Sequence, residues 1–377
     1  MNFSKETVYF TTHDTPIIGN LRSEIVIGLD SIGESLIKRI YSGEEVSESD
    51  LSQDELTLLN ELKISGFFQD ENERNIHSAY LHVTSHCNLK CKGCYSLEDE
   101  RNKKVDLSFE EICIILENLK MAGIKNLVLS GGEVFSRKDI RDILSFAKND
   151  LKIENILVIT NGTHNLNTYK SCYGLIDVLS ISIDGYNENM SFIRDEGIME
   201  NVLKAAVELK EYFNIQFIAT LHKKNINYID KYLNLSNELE IPITFSLFTV
   251  NLDDPDSKEF ILNYVDYIYL SSLIEENNNF YIDDSPLSGE LGCRNSCGAG
   301  KELVSISSNG DIYPCHMFQH EQFKMGNALK DNILDVLYES LDLDGTIVHY
   351  SFYIYKRILL YFIWGNRKCS YKLTKCR

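Results

Sequence analysis

Between residues 79 and 248, short apolar runs alternate regularly with longer amphipathic stretches. Runs of this length, bounded by polar or turn residues, are typical of buried strands. The predicted strands are Ala79–Thr84, Leu127–Ser130, Asn155–Thr160, Asp177–Asp184, Ile215–Leu221 and Ile243–Phe248. Helical stretches lie between them, and the first begins with the capping box Ser108-Phe-Glu-Glu111. This alternation predicts an α/β fold whose parallel sheet has helices outside it, either doubly wound or a partial barrel. We expect this core over residues 79–285.

The segment before this alternation has a different pattern. It predicts two short strands, at Thr7–Thr11 and Ser23–Leu29, and then two helices over about 31–41 and 52–64. Glycines follow both helices, where they are favoured as helix ends. We therefore expect residues 1–75 to form a small winged-helix-like module.

The segment after the alternation, residues 286–377, is predicted to be a cysteine-bearing extension. Within it, residues 345–377 contain seven Lys or Arg and no Asp or Glu, together with the single tryptophan, Trp364. Elsewhere the chain is acidic. This tail is either a genuine basic element or the product of a frameshift or truncation.

Composition narrows the possible partners. The chain has 377 residues and a net charge of −19, which argues against nucleic acid because phosphate binding needs a basic surface. It has neither a signal peptide at its start nor an apolar run long enough to span a membrane. Ten cysteines without a secretion signal indicate a reducing cytoplasm, where clustered cysteines bind metal or act in catalysis.

Three cysteines follow the first core strand, in the spacing Cys87-x3-Cys91-x2-Cys94. Iron–sulfur clusters are usually held by four thiolates, so a lone triplet indicates a cluster with one iron left open for a ligand. A structural zinc site with His82 or His86 as its fourth ligand is the alternative.

Polar residues also follow the other core strands, at the edge where active sites of parallel α/β barrels lie. The Gly131-Gly132 pair allows close approach of the backbone to a ligand, and Glu133 can accept a hydrogen bond from an amine. Arg194 can bind a carboxylate. Asn161, Ser182, Asp184 and Tyr95 complete the candidate site, the second and third as ribose ligands and Tyr95 as the cover of a base. S-adenosylmethionine has an amine, a carboxylate, a ribose and a base.

These motifs together resemble the radical S-adenosylmethionine (radical SAM) superfamily over roughly residues 79–250. The resemblance implies a partial (β/α)6 barrel and a [4Fe–4S] cluster on Cys87, Cys91 and Cys94, whose open iron binds the methionyl amine and carboxylate. It also implies reductive cleavage to a 5′-deoxyadenosyl radical that abstracts a hydrogen from the substrate. Glu133 would contact the amine, Ser182 the ribose and Arg194 the carboxylate. Val134 departs from the proline that often follows Gly-Gly-Glu in this family.

The segment from Cys297 through Cys315 resembles the SPASM extension of peptide-modifying radical SAM enzymes. The resemblance implies one auxiliary iron–sulfur cluster, with Cys293, Cys297 and Cys315 as candidate ligands. The denser cysteine set that the family places further on is absent, because only Cys369 and Cys376 remain and their spacing differs.

The N-terminal module resembles a RiPP recognition element, the domain that binds the leader of a ribosomally made peptide. The expected function is therefore maturation of a precursor peptide, through a thioether or related cross-link, with flavodoxin or ferredoxin as electron donor. Two alternatives stay open: a sulfatase-maturase-type oxidation, disfavoured by His316 after Cys315, and a non-catalytic iron–sulfur protein that binds peptide or transfers electrons.

Overall fold

The computed structural model describes residues 3–4, 7–12, 15–20, 25–44, 46–47, 50–68, 76–94, 102–103, 105–248, 255–276, 298–300 and 302–339. These residues fall into two compact units, one covering residues 3–68 and the other residues 76–339. No helix in these ranges is long and apolar enough to cross a membrane.

The first unit is a three-stranded antiparallel sheet followed by two helices. Its elements are β1 (Thr7–Thr12), β2 (Thr15–Asn20), β3 (Ile25–Gly28), α1 (Ser31–Tyr41) and α2 (Gln53–Ile64). Asp30 caps α1 and Ser52 caps α2 with a complete capping box, so each helix begins where its side-chain acceptor stands. The sequence pattern predicted both helices but not β2, whose short run includes Pro16 and Gly19.

The strands of the second unit form one nine-stranded sheet in the order β12-β11-β10-β4-β5-β6-β7-β8-β9. The strands are β4 (Ser78–Thr84), β5 (Asn126–Gly131), β6 (Asn155–Thr160), β7 (Val178–Ile183), β8 (Ile215–Leu221), β9 (Ile243–Leu247), β10 (Leu303–Ile306), β11 (Asp311–Tyr313) and β12 (Gly326–Asn327). The helices are α3 (Phe109–Met121), α4 (Ile140–Ser145), α5 (Leu166–Ser171), α6 (Met199–Leu209), α7 (Ile229–Leu239), α8 (Tyr264–Glu276) and α9 (Ile333–Glu339).

Strands β4 to β9 are parallel and follow one another in chain order, which confirms the predicted α/β partial barrel; the sheet does not close. Alternate residues of each strand pack against the helices in the main core, as Leu179, Ile181 and Ile183 do in β7. The residues between them, such as Ser180 and Ser182, lie on the other face. That face is the interior of the partial barrel, and it carries polar side chains toward its carboxyl edge.

The extension is joined to the core through the sheet itself. Strand β10 pairs in parallel with β4, and β11 and β12 continue the sheet in antiparallel pairing. The buried side chain of Asn118 on α3 adds three contacts: it donates to the carbonyls of Ala328 (3.1 Å) and Asp331 (2.7 Å) and accepts from the Ile333 N–H (3.2 Å). The sequence pattern predicted an extension here but none of its three strands.

Candidate active site

The three cysteines of the triplet lie on the loop after β4, which we call the cysteine loop (residues 85–94). All three are half-buried, and none of them forms a disulfide with another described residue. The backbone N–H of Cys87 donates to Asn102 Oδ1 (2.8 Å), while Asn102 Nδ2 donates back to the carbonyl of Cys87 (3.1 Å). This reciprocal pair holds the first cysteine in place.

A second set of contacts joins the cysteine loop to the end of β6. Asn88 Nδ2 donates to Thr163 Oγ1 (2.8 Å), and Asn88 Oδ1 accepts from Asn161 Nδ2 (2.9 Å). Asn161 also accepts from the N–H and hydroxyl of Thr163 through its own Oδ1. Asn161 therefore holds the cysteine loop rather than standing free for a ligand.

A third set comes from the loop after β7. The N–H of Lys92 donates to the carbonyl of Ile193 (2.7 Å), and the N–H of Lys90 donates to the carboxylate of Asp195 (3.1 Å). This loop is shaped by Asp184, whose carboxylate accepts the N–H groups of residues 192, 193 and 194 and the hydroxyl of Ser191. The sequence pattern indicated a ribose ligand at Asp184, whereas the contacts found here give its carboxylate a positioning role.

The glycine pair after β5, Gly131 and Gly132, is required by packing, because the backbone of the cysteine loop approaches both residues closely. Gly131 has φ +132°, and a Cβ there would lie 2.3 Å from the carbonyl oxygen of Thr84. A Cβ on Gly132 would lie 2.1 Å from the carbonyl oxygen of His86. The close approach that the pair permits is to the start of the cysteine loop, where the N–H groups of Gly132 and Glu133 donate to those two carbonyls.

Glu133 is a buried carboxylate with only neutral hydrogen-bond donors around it. Its oxygens accept from the N–H of Phe135 (3.1 Å), the hydroxyl of Thr160 (2.8 Å) and the N–H of Asn161 (2.8 Å). A carboxylate has about four acceptor positions, so these three donors leave one. Burial raises the pKa of Glu133, and no Lys or Arg in the described ranges forms an ion pair with it. The site therefore has a place for a cationic donor.

Among the buried side-chain nitrogens of the described residues, three that lack a hydrogen-bond partner follow three consecutive strands. They are His164 Nε2 after β6, Arg194 Nε after β7 and His222 Nε2 after β8. A buried donor without a partner is costly, which makes each of them a candidate ligand contact. Ser182 is buried at the end of β7, on the same edge.

The three thiols lie on one short loop, where each could bind a different iron of an iron–sulfur cluster. The pKa of Cys91 is raised to about 11, chiefly by burial; Arg194 lowers it, and the neighbouring Cys94 and Cys87 raise it. Among the described residues, no three Cys, His, Asp or Glu side chains converge closely enough to hold one metal ion.

Of the three candidate cluster ligands in the extension, the structure describes only Cys315. Cys315 is half-buried directly after β11, with its Sγ 3.6 Å from His316 Nδ1, and the His316 ring stacks on Tyr80 at 4.0 Å. Cys293, Cys297 and Tyr95 lie outside the described residues, as do Cys369, Cys376 and the tail.

The residues that brace the cysteine loop, above all Asn88, Asn102 and Asp195, were not predicted. Asparagine and aspartate are common on exposed loops, so nothing in their spacing separated them from solvated residues. The sequence offered one indication of their role: Asp195 directly follows Arg194, which was a predicted site residue.

This geometry agrees with two family matches. Residues 81–236 match the model of the radical SAM superfamily, and residues 297–343 match that of SPASM, an iron–sulfur cluster-binding domain. Residues 81–236 are therefore a radical SAM domain, and residues 297–343 are a SPASM domain.

Curated relatives in this superfamily differ in what they act on. One is a probable GTP 3′,8-cyclase of Methanocaldococcus jannaschii, 29% identical over 59% of this chain and 68% of the relative. Another is the mycofactocin maturase MftC of Mycobacterium tuberculosis, 24% identical over 66% of each chain. A third is the subtilosin biosynthesis protein AlbA of Bacillus subtilis, 25% identical over 72% of this chain and 60% of the relative. The chain thus spans about two thirds of the length of the curated relatives it matches.

Among solved structures, Streptococcus suis SuiB bound to its precursor peptide SuiA matches with a TM-score of 0.59 and 18% identity, over 92% of this chain and 90% of SuiB. Residues 76–377 alone are about four fifths of the chain, so this coverage requires a fold likeness that includes the N-terminal unit.

Proposed function

We propose that this protein is a radical SAM/SPASM maturase that modifies a ribosomally made precursor peptide. A single observation carries the cofactor half of the proposal: Glu133 is a buried carboxylate with no Lys or Arg partner in the described ranges, on the edge that holds the cysteine loop. The ammonium group of S-adenosylmethionine would supply the missing charge and the fourth hydrogen bond.

The residues would share the cofactor as follows. Cys87, Cys91 and Cys94 would hold the [4Fe–4S] cluster, Glu133 the methionyl amine, Arg194 the carboxylate through its unpartnered Nε, and Ser182 the ribose. Reduced and bound to S-adenosylmethionine, the cluster supplies the electron that cleaves it to methionine and a 5′-deoxyadenosyl radical able to abstract a hydrogen atom. The protein's own contribution is to orient the reactants and exclude water.

The reaction would be the formation of a thioether or related cross-link. Joining a cysteine sulfur to a carbon removes two hydrogens from the peptide. One is transferred as an atom to the nucleoside radical, and the other leaves as a proton while its electron passes to an iron–sulfur cluster. Cys315, with Cys293 and Cys297, would contribute to the auxiliary cluster that accepts it.

The N-terminal unit would bind the leader of the precursor. Strand β3 is an edge of its sheet, with Val26 65% exposed. Beside it lies a groove of about 240 Å³ lined by residues that include Gly28, Ile32 and Leu58. An extended leader could add to this edge by backbone hydrogen bonds and place an apolar side chain in the groove.

The cellular setting completes the proposal. We place the enzyme in the cytoplasm, with flavodoxin or ferredoxin as the electron donor and without a nucleic-acid or membrane partner. Residues 1–75 would serve as the leader-binding module, 79–285 as the catalytic core and 286–377 as the auxiliary-cluster extension.

Anaerobic turnover tests the proposal. Reconstituted protein, given S-adenosylmethionine, reductant and the short peptide encoded beside the gene, should release 5′-deoxyadenosine and yield a peptide lighter by two hydrogens. Cys87→Ala should abolish both products. The control is Cys113→Ala, which removes a thiol of α3 that has no place in the cysteine loop. Deoxyadenosine without peptide modification would favour an oxidation of another substrate, and no deoxyadenosine from the unaltered chain would favour a binding or electron-transfer role.

A further inference from the structure

Gly93 lies between the second and third cysteines of the triplet, and an aromatic ring fills its side-chain position. A Cβ on Gly93 would lie 2.3 Å from Cζ and 2.6 Å from Cε2 of Phe248. Real Cβ atoms do not approach other atoms this closely, so the ring occupies the volume that any larger residue here would need. Gly93 also has φ +61°, a conformation that glycine adopts at the lowest cost.

Phe248 reaches this position from the last parallel strand of the sheet, at the same carboxyl edge as the cysteine loop, which follows the first. It follows β9, and its N–H donates to the carbonyl of Leu221 (2.9 Å), so its backbone is fixed to β8. Its side chain is 6% exposed and packs against Phe260, with ring centroids 5.6 Å apart. The ring is therefore held in place by the core and not by the cysteine loop alone.

His222 stands behind this ring and links it to the Arg194 loop. Its ring lies edge-on to Phe248 (6.3 Å), Phe260 (5.1 Å) and Phe192 (5.4 Å), and its Nδ1 accepts from the N–H of Lys224 (3.2 Å). Phe192 belongs to the segment that Asp184 holds, two residues before Arg194. One aromatic group, Phe192, His222, Phe248 and Phe260, thus touches both the cysteine loop and the Arg194 loop.

We propose that Phe248 is a positioning residue for the cluster and forms a matched small–large pair with Gly93. By filling the space beside Gly93, its ring fixes the segment from Cys91 to Cys94, and with it the place of the open iron relative to Arg194. It also gives the cluster an apolar wall that excludes water on this side. The inference rests on the proposed function, because it assumes a cluster on the cysteine loop.

Enlarging Gly93 and shortening Phe248, separately and together, tests whether the two residues act as a matched pair. Gly93→Ala alone should collide with Phe248 and lower the iron and sulfide bound per chain by about fivefold or more, since the loop must move. Phe248→Leu removes the three ring atoms nearest Gly93. The double variant Gly93→Ala/Phe248→Leu should therefore bind more cluster than Gly93→Ala alone, although alanine in a left-handed conformation remains less favourable than glycine.

The single variant Phe248→Leu retains all three cysteines but lacks the aromatic ring that forms the apolar wall beside the cluster. It should retain most of the cluster but raise the KM for S-adenosylmethionine by about tenfold with a smaller change in kcat, and weaken the change in the EPR spectrum of the reduced cluster when S-adenosylmethionine is added. The matched control is Phe217→Leu, a fully buried phenylalanine of β8. It should lower thermal stability and leave the EPR spectrum and the KM unchanged.

The outcomes separate the two proposals. If the unaltered protein binds no iron–sulfur cluster, both the proposed function and this inference fail. If it binds the cluster and cleaves S-adenosylmethionine, but the double variant binds no more iron than Gly93→Ala, or Phe248→Leu behaves as Phe217→Leu does, this inference alone is overturned.

Discussion

At the scale of single residues, two side chains of the candidate site lack usual partners among the described residues. Glu133 has three neutral donors and no Lys or Arg partner there, and Arg194 Nε has no acceptor. Burial makes each of these deficits costly, so the apo site carries a cost that a zwitterionic ligand would remove. The sequence motif could indicate both residues, but only the structure shows that their hydrogen-bonding capacity is incomplete.

His222 gives a pH dependence that can be measured. Burial lowers its pKa to about 4 from an ordinary 6.5. Its neutral form contributes stability that is complete above pH 6.5 and is lost as the pH falls toward 4, because only the unfolded chain takes up the proton in that window. Between pH 7 and pH 5 this amounts to about 2 kcal/mol.

Urea unfolding at the two pH values should show this loss in the unaltered protein and a smaller one in His222→Gln. His320→Gln is the control, because His320 is exposed. An equal pH dependence in His222→Gln and the unaltered protein would show that His222 does not carry the effect.

At the scale of elements, a strand could be predicted from the sequence only where its local pattern of apolar and turn residues was clear. Strands β4 to β9 were predicted to within about one residue because each is an apolar run between turn residues. Strand β2 was not, because its run includes Pro16 and Gly19, and β10 to β12 were not, since each has only two to four residues. The pairing of β10 also depends on a partner far away in sequence, with Val304 opposite Ala79, which no local pattern encodes.

The residues of the candidate site fall into the same two groups, those that the sequence predicted and those that it did not. The predicted site residues, such as Glu133 and the three cysteines, stand at or shortly after strand ends. The residues that hold the cysteine loop, such as Asn88 and Asp195, act through long-range hydrogen bonds and were not predicted. Asp184 lies between the two groups: its place on the edge was predicted, but its carboxylate is used by the backbone of residues 192–194.

Substitution of Asn118 tests how the extension is attached to the core. Asn118→Leu would leave the carbonyls of Ala328 and Asp331 and the N–H of Ile333 without their partner, at a cost of about 3 kcal/mol. We expect faster hydrogen exchange in residues 326–339 and unchanged exchange in β5 to β8. Asn149→Leu, at an exposed asparagine, should change neither. Exchange that is uniform across both regions would mean that Asn118 does not act as a local attachment.

At the scale of the whole molecule, the proposal assigns separate tasks to the two compact units. The second would hold the cofactor, and the first would choose the peptide. The separation predicts that one task can be lost while the other remains. It also means that cleavage of S-adenosylmethionine and modification of the peptide are independent readouts.

Val26→Asp places a charge on the exposed edge strand β3, where it should oppose pairing with the leader by desolvation of the carboxylate. We expect at least a tenfold loss of peptide modification by mass spectrometry, with deoxyadenosine formation in the absence of peptide unchanged. Val207→Asp, at an exposed valine of α6, is the matched control and should change neither. Full modification by Val26→Asp would remove β3 from the leader-binding role.

The central claim is that three thiolates leave one iron of a cluster open and that this iron binds S-adenosylmethionine. The most direct measurement is the hyperfine spectrum of the reduced, anaerobically reconstituted protein with S-adenosylmethionine labelled at its amine nitrogen and carboxylate oxygen. The account predicts coupling of both labels to the cluster, and loss of both couplings in Cys91→Ala. Zinc in place of iron on the cysteine loop, or a cluster that shows no coupling to either label, would contradict it.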